Sequence, residues 1–426
     1  MHAEVAARAG ELERVRSRGD FQAFAAESVA AADRFPHDAY LRVLAAEGLL
    51  ASGNARAAEA DALAAERLAD LTSEEISSAA IRLWATARIR QGLPLETAQL
   101  ARIALDDPAL QTVLAWSDLL AGAAPFQIET LKDESSEVPL SEAAPDSLAA
   151  ELLAIDGVAN GTPCRTIFID TGAQHTVMTR AAAEAAGVRV QSGDIELAGF
   201  ASSTAEAGLI EKLELGSLTI RNVPVLVGDS PALTAAEGSM SLGTDLLYHL
   251  RVTLDYPQRR VTAEPASASV TTTDENASTE WRIPVWTFSR LPLAEGTGAG
   301  GTPLRVLIDT GARQGTYISY RWGRREIPQL AGVHSGMVFR FKKKDLTLPP
   351  LELGGRAIAD WPVVDTLPKE LDRLDVVDLM LGHDLLKRFR VTVDLSHGEF
   401  RLSSRDPQAM QSPIRPAEVQ GEHDLP

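Results

Sequence analysis

Apolar positions are spaced in two different ways along this chain. Up to about residue 122 they are mostly Ala and Leu, set among Glu and Arg with few β-branched residues, a mixture that favours helix. Breaks at Gly19-Asp20, Pro36-His37, Ser52-Gly53-Asn54, Thr72-Ser73, Gly92-Leu93-Pro94 and Asp107-Pro108 divide this stretch into helices joined by short turns. The pattern predicts a helical array over residues 1–122. From Ser147 onward short alternating runs bounded by Gly, Pro, Asn and Asp take over, the signature of β-structure. Ala181 to Ala186 is the one helical pattern within the first β-rich unit, 148–265. A second β-rich unit covers 281–404. Residues 123–147, acidic and punctuated by proline, read as a linker, 266–280 as a Ser/Thr-rich linker, and 405–426 as a tail.

The two β-rich units are copies. Asp170-Thr171-Gly172-Ala173 recurs as Asp309-Thr310-Gly311-Ala312, a period of 139 residues. Each tetrapeptide follows an apolar run, Thr166 to Ile169 and Arg305 to Ile308, that reads as a buried strand. Each is followed 73 residues later by the glycine of an apolar-Gly motif, Ser241-Leu242-Gly243 and Met380-Leu381-Gly382. Val252-Thr253-Leu254-Asp255 and Val391-Thr392-Val393-Asp394 then close matching strands. Further matches are Gly161-Thr162-Pro163 with Gly301-Thr302-Pro303, and Leu213-Glu214-Leu215-Gly216 with Leu351-Glu352-Leu353-Gly354. The copies differ after the tetrapeptide, where Arg313-Gln314-Gly315-Thr316 contains one residue more than Gln174-His175-Thr176.

Composition narrows the chemistry. The chain has 426 residues, enough for two or three domains, and a formal net charge of −18, which disfavours nucleic acid and anionic membrane as partners. No apolar run is long enough to span a membrane. Met1 to Asp20 is charged and has no apolar leader core. That places the chain in the cytoplasm, or in the periplasm or outside the cell if a leader was removed. The single cysteine, Cys164, excludes an internal disulfide and a cysteine-based metal site.

An Asp after a buried strand and before Thr-Gly sits on a tight turn. A pseudo-two-fold axis between the copies would bring the two turns together. Two adjoining carboxylates cannot both ionise, so they share a proton and can perform general acid–base hydrolysis without a covalent intermediate. On these motifs the chain resembles the retropepsin-like aspartic proteases, in a single-chain, two-lobed bacterial form. The resemblance spans about residues 148–404. It implies an N-terminal all-α array followed by a mainly-β, double-lobed acid-protease fold, and an aspartic endopeptidase acting on protein or peptide substrates. It implies Asp170 and Asp309 as the catalytic pair, supported by Thr171, Gly172, Ala173, Thr310, Gly311 and Ala312. The threonines would form a hydrogen-bonded grip, and Gly243 and Gly382 would lie in strands passing under the active-site loops. Flaps over the substrate are expected around Gly199-Phe200 and Gly336-Met337.

The segment Tyr40 to Leu68 resembles a tetratricopeptide repeat. Ala46 and Leu49 lie on a first helix, a turn follows at Gly53, and Ala58, Ala62 and Ala65 lie on a second, which offers a surface for a protein partner. A different reading of the whole is a non-catalytic peptide-binding adaptor that retains a protease fold.

No cofactor and no metal are called for. His175, His249, His334 and His383 lack metal-ligand spacing, and Ser241 and Ser335 lack the context of a nucleophile. His175, His383, Asp245 and Asp384 read as residues that orient loops through hydrogen bonds. The polar joint at 123–147 suggests that residues 148–404 fold without the helices.

Overall fold

The computed structural model describes residues 2–69, 73–97, 107–129, 135–142, 152–197, 203–229, 233–234, 238–268, 280–288, 290–298, 301–312, 316–327, 351–358, 365–367 and 376–404. The expected flap residues Gly199, Phe200, Gly336 and Met337 lie outside them, as do most of 266–280 and all of 405–426. Among the described residues no helix is long and apolar enough to cross a membrane.

The N-terminal region is helical: His2–Ser17, Phe21–Arg34, Ala39–Ala51, Ala55–Ala69, Glu74–Arg90 and Pro108–Leu120. Asp20, Asp38 and Ser73 cap their helices by accepting backbone N–H bonds from Ala23, Leu41 and Ile76. Consecutive helices pack as neighbours, and small residues let them approach closely. Ala58, Ala62 and Ala65 are fully buried on one face of Ala55–Ala69. A side chain added at Gly48 would run into Ser28 and Ala25 of the preceding helix.

The β-rich remainder repeats one arrangement of strands. In the first copy, Thr162–Ile169 runs parallel to Met240–Leu242, which is antiparallel to Val177–Met178, itself parallel to Leu218–Val227. In the second, Pro303–Ile308 runs parallel to Leu379–Leu381, which is antiparallel to Thr316–Ile318, itself parallel to Asp365–Thr366. The 139-residue period therefore reappears as topology. It also appears as contact, because Leu250–Asp255 pairs with Arg390–Asp394 across the pseudo-two-fold axis. There Thr253 and Thr392 face each other with hydroxyls 2.9 Å apart. Arg251 Nε donates to the buried Asp394 at 2.8 Å across the same seam. Among the described residues, the strands across this seam run in the order Ser136–Pro139, Arg260–Pro265, Leu250–Asp255, Arg390–Asp394, Glu399–Ser403 and Glu280–Phe288, and the sheet continues from there into Leu291–Thr297.

Two sequence expectations meet a different structure. The stretch read as a linker, 123–147, holds strands Gln127–Glu129, Ser136–Pro139 and Ser141–Glu142, all paired with the β-rich body. Its acidic residues hid the alternation: Ser136, Val138 and Leu140 are buried while Glu137 and Pro139 face out. The helices are also not loosely attached. Leu12, Phe21, Phe24 and Leu44 share one apolar cluster with Phe288, Leu293, Leu307 and Met380. The Phe21 and Phe288 rings are 4.6 Å apart. Trp116 packs among Ala205, Ala207 and Leu226, and its indole N–H donates to the Val225 carbonyl at 3.1 Å. Surfaces of this kind, exposed by removing the helices, would carry a large hydrophobic penalty.

Candidate active site

Each aspartate is the first residue past a buried strand, and the parallel partner strand fixes its height. The Asp170 N–H donates to the Leu242 carbonyl at 3.0 Å and the Asp309 N–H to the Leu381 carbonyl at 2.8 Å. The turn then closes on the carboxylate. Asp170 Oδ1 accepts from the N–H groups of Gly172 (3.0 Å) and Ala173 (3.1 Å), and Asp309 Oδ1 from those of Gly311 (2.8 Å) and Ala312 (3.1 Å).

Two threonines lock the turns to each other. The Thr171 N–H donates to Thr310 Oγ1 at 3.1 Å, and the Thr310 N–H donates to Thr171 Oγ1 at 3.0 Å. Each hydroxyl then donates across the axis, Thr171 to the Ile308 carbonyl and Thr310 to the Ile169 carbonyl, both at 2.6 Å. All four groups are buried and satisfied, so the juncture is stiff. The glycines show how close the turns lie. A Cβ on Gly172 would overlap the Asp309 carboxylate, and one on Gly311 would overlap that of Asp170. Asp170, Asp309, their threonines and glycines are thus brought together, with Ala173 and Ala312 closing each turn.

The carboxylates are not equivalent. Burial pushes both above the usual carboxylate range. Asp170 is restrained by three donors, since the Ser241 hydroxyl donates to its Oδ2 at 3.1 Å in addition to the two backbone N–H groups. Asp309 is pushed up further, first by burial and then by the charge of Asp170. Met380 occupies the position of Ser241 in the second copy: Ser241 is registered with Phe168, and Met380 with Leu307. A thioether offers Asp309 no hydrogen. Sequence reasoning considered Ser241 only as a nucleophile and missed this role; the signal was there in the mismatch between Ser241 and Met380 in otherwise matching motifs.

Behind the first turn lies a polar network. Asp245 accepts from the Thr176 N–H (2.9 and 3.0 Å), the Thr176 hydroxyl (2.8 Å) and the Leu246 N–H (2.8 Å). His175 Nδ1 lies 3.5 Å from Asp245 Oδ2, and Arg290 Nη1 meets the same ring, nearest Nε2. Burial, and then Arg290, pushes His175 below its usual range. A neutral ring that carries its proton on Nδ1 and accepts from Arg290 at Nε2 satisfies both neighbours. Gly243 and Gly382 end the partner strands and cap the short helices Thr244–Leu247 and His383–Leu386. Gly243 approaches the His175 backbone so closely that no side chain fits. Beside Asp309, the buried Tyr256 ring stacks edge-on to His383 at 5.1 Å.

The described parts of the first expected flap are its two arms. Arg189–Leu197 and Ser203–Leu215 pair as an antiparallel hairpin whose last described pair is Leu197 with Ser203.

Residues 155–246 match the family model described as aspartyl protease. No curated protein matches the chain. Among solved structures it is similar to an aspartic proteinase from Irpex lacteus, at 14% identity and a TM-score of 0.39, covering 63% of this chain and 97% of that one. It is also similar to basic 7S globulin from soybean, at 9% identity and a TM-score of 0.39, covering 66% and 97%. A third is conglutin gamma, a basic 7S globulin from lupine seeds, at 10% identity and a TM-score of 0.39, covering 66% and 98%.

Proposed function

We propose that the chain is an aspartic endopeptidase built from two lobes of one acid-protease fold, with Asp170 and Asp309 as its catalytic pair. The observation that carries this reading is the reciprocal juncture. Each carboxylate lies against the glycine of the other copy, held there by threonines that exchange hydrogen bonds. The aspartyl protease match over residues 155–246 supports it.

In this mechanism Asp170 is the ionised partner, because three donors stabilise its charge, and Asp309 holds the shared proton. A water between them gives a proton to Asp170 as its oxygen adds to the peptide carbonyl carbon. Asp309 gives its proton to the carbonyl oxygen, so the tetrahedral species is a neutral diol. The C–N bond then breaks as Asp170 returns its proton to the leaving nitrogen and Asp309 recovers one from a hydroxyl. Protons balance, and no covalent enzyme intermediate forms. Peptide would lie extended across both lobes, its backbone paired to the hairpin whose arms are Arg189–Leu197 and Ser203–Leu215. Gly199, Phe200, Gly336 and Met337 are the proposed flap contacts.

The helical array, read as tetratricopeptide-like, has one face filled by the chain's own strands. A protein partner would therefore use the face turned away from Phe288 and Leu226. The test of the function is digestion of a peptide library by the full chain beside Asp170→Asn and Asp309→Asn, with products read by mass spectrometry. Cleavage by the wild type alone supports the proposal. Binding without cleavage by all three proteins identifies an adaptor, and equal cleavage by the variants overturns the dyad.

A further inference from the structure

A cavity of about 30 Å3 lies where three parts of the molecule meet: the helices Glu74–Arg90 and Pro108–Leu120, the first β copy, and the turn leading into strand Leu291–Thr297. That volume holds roughly two water-sized spheres. Its walls include the apolar faces of Trp116, Phe126 and Tyr248, and two guanidiniums, Arg90 and Arg290, reach it.

The polar atoms around it are unevenly spent. Trp116 donates to Val225, Tyr248 to the Gly53 carbonyl, Thr86 to the Arg82 carbonyl and Thr244 to the Arg290 carbonyl. Asp245 is occupied by Thr176 and Leu246. By contrast, among the described residues the Thr287 hydroxyl makes no hydrogen bond, and the hydrogen bonds of the Arg290 guanidinium go to the His175 ring. Arg90 lies over the Tyr248 ring at 4.6 Å, hydrogen-bonds the Tyr248 side chain and gives one N–H to the Leu50 carbonyl. Among the described residues, what remains is donor capacity on the Arg290 guanidinium and the Thr287 hydroxyl with no acceptor beside it.

Charge points the same way. Burial pushes His175 and His249 below their usual range, which favours their neutral forms and leaves Arg90, Arg290 and Asp245 as the charged groups lining the cavity. One positive charge is left without a partner in a region of low dielectric, which is costly. Arg290 has a φ of 63°, the left-handed conformation required by the two-residue hairpin that the Phe288–Leu291 pair closes, and this turn aims its side chain at the cavity.

We propose that this cavity binds one small monovalent anion, of the size of chloride or formate, between the guanidiniums of Arg290 and Arg90, with the Thr287 hydroxyl as a further donor. The anion neutralises the cluster and ties the helical array to both β copies. It is not part of the hydrolytic chemistry, so its test does not depend on turnover.

The test is thermal unfolding of the full chain in sodium chloride, sodium formate or sodium gluconate at equal ionic strength, gluconate being too large to enter. The expected result is a rise in Tm of about one to three degrees that grows with the logarithm of the chloride or formate concentration and is absent with gluconate. Arg290→Gln should abolish the rise, and Thr287→Val should require several-fold more anion for the same rise. A crystal soaked in bromide should show an anomalous peak between Arg90 and Arg290, a readout that stands even if a variant fails to fold. Superimposable chloride and gluconate curves, an undiminished rise in Arg290→Gln, or a cavity without bromide would each overturn the proposal.

Discussion

The two aspartate turns share a sequence, a strand order and a hydrogen-bonding scheme, yet their surroundings differ. The first turn rests on a polar base: Ser241 beneath Asp170, then Asp245, His175 and Arg290. The second rests on an apolar one, where Ala312, Tyr317 and Met380 belong to the cluster that also contains Leu12, Phe21 and Phe24 of the helices. Where the helices cover the back of the turn, a serine has been replaced by a packing residue and the carboxylate has lost a donor. The lesson is that a symmetric dyad can be biased by what lies behind it. The carboxylate on the apolar support, Asp309, is pushed further above the usual range than Asp170 on the polar one.

The largest effect expected is loss of turnover. Asp170→Asn and Asp309→Asn should each lower kcat by roughly 10²–10⁴-fold with far-ultraviolet circular dichroism unchanged, since either amide removes one half of the proton relay. Substantial turnover in one variant alone would show that the two turns differ in role far more than proposed.

The apolar support is tested next. Phe21→Ala should cost about 3–5 kcal/mol of stability, because a buried ring is deleted against Phe288. It should lower activity through the second turn, and chemical denaturation with a parallel assay measures both. Unchanged stability would mean that the helices do not brace the Asp309 side.

The polar support calls for a smaller change. Ser241→Ala removes one hydrogen bond to a charged group, a loss of about 1.5–3 kcal/mol in stabilising ionised Asp170. Its acid limb should move to higher pH, because Asp170 then protonates sooner. A pH–kcat/KM profile that keeps the wild-type acid limb would break the assignment of Asp170 as the ionised partner.

The smallest effect concerns stability. Asp309 holds its proton to a higher pH in the folded chain than in the unfolded one. Folded stability therefore falls as pH rises from the unfolded value, about 4, through the folded one, and stays lower above it. Asp309→Asn removes that dependence, so the variant should melt about one degree above wild type at pH 7, on the order of what 1 kcal/mol gives in a chain of this size. The gain should vanish below about pH 4. The same substitution at Asp170 should give a smaller gain, since its carboxylate has one donor more. Equal gains at both positions would erase the distinction between the copies.

Much of the candidate site's geometry was legible in the sequence. The tetrapeptides, the 73-residue spacing and the 139-residue period led to Asp170, Asp309 and their neighbours, and the structure brings those residues together. The hydrogen bond from Ser241 to Asp170 is not legible in its motif, because it joins residues 71 positions apart. The strands within 123–147 were missed because exposed acidic residues dominate the composition of a segment whose alternate residues are buried.

By itself the sequence determined what is periodic and local. Helix-forming composition, capping residues, strand alternation and a doubled motif are properties of short stretches, and repetition makes them readable at a distance. Tertiary structure alone decided which groups meet without sharing a pattern. Phe21 against Phe288, Trp116 against Val225 and Arg290 against His175 join segments far apart in the chain. Such contacts leave no periodic trace, because each partner needs only to be apolar, or a donor, where the fold happens to bring it. For the same reason the inequality of the two carboxylates arises only in three dimensions. It depends on burial and on the donors within reach of each oxygen, and neither is a property of the tetrapeptide that the two copies share.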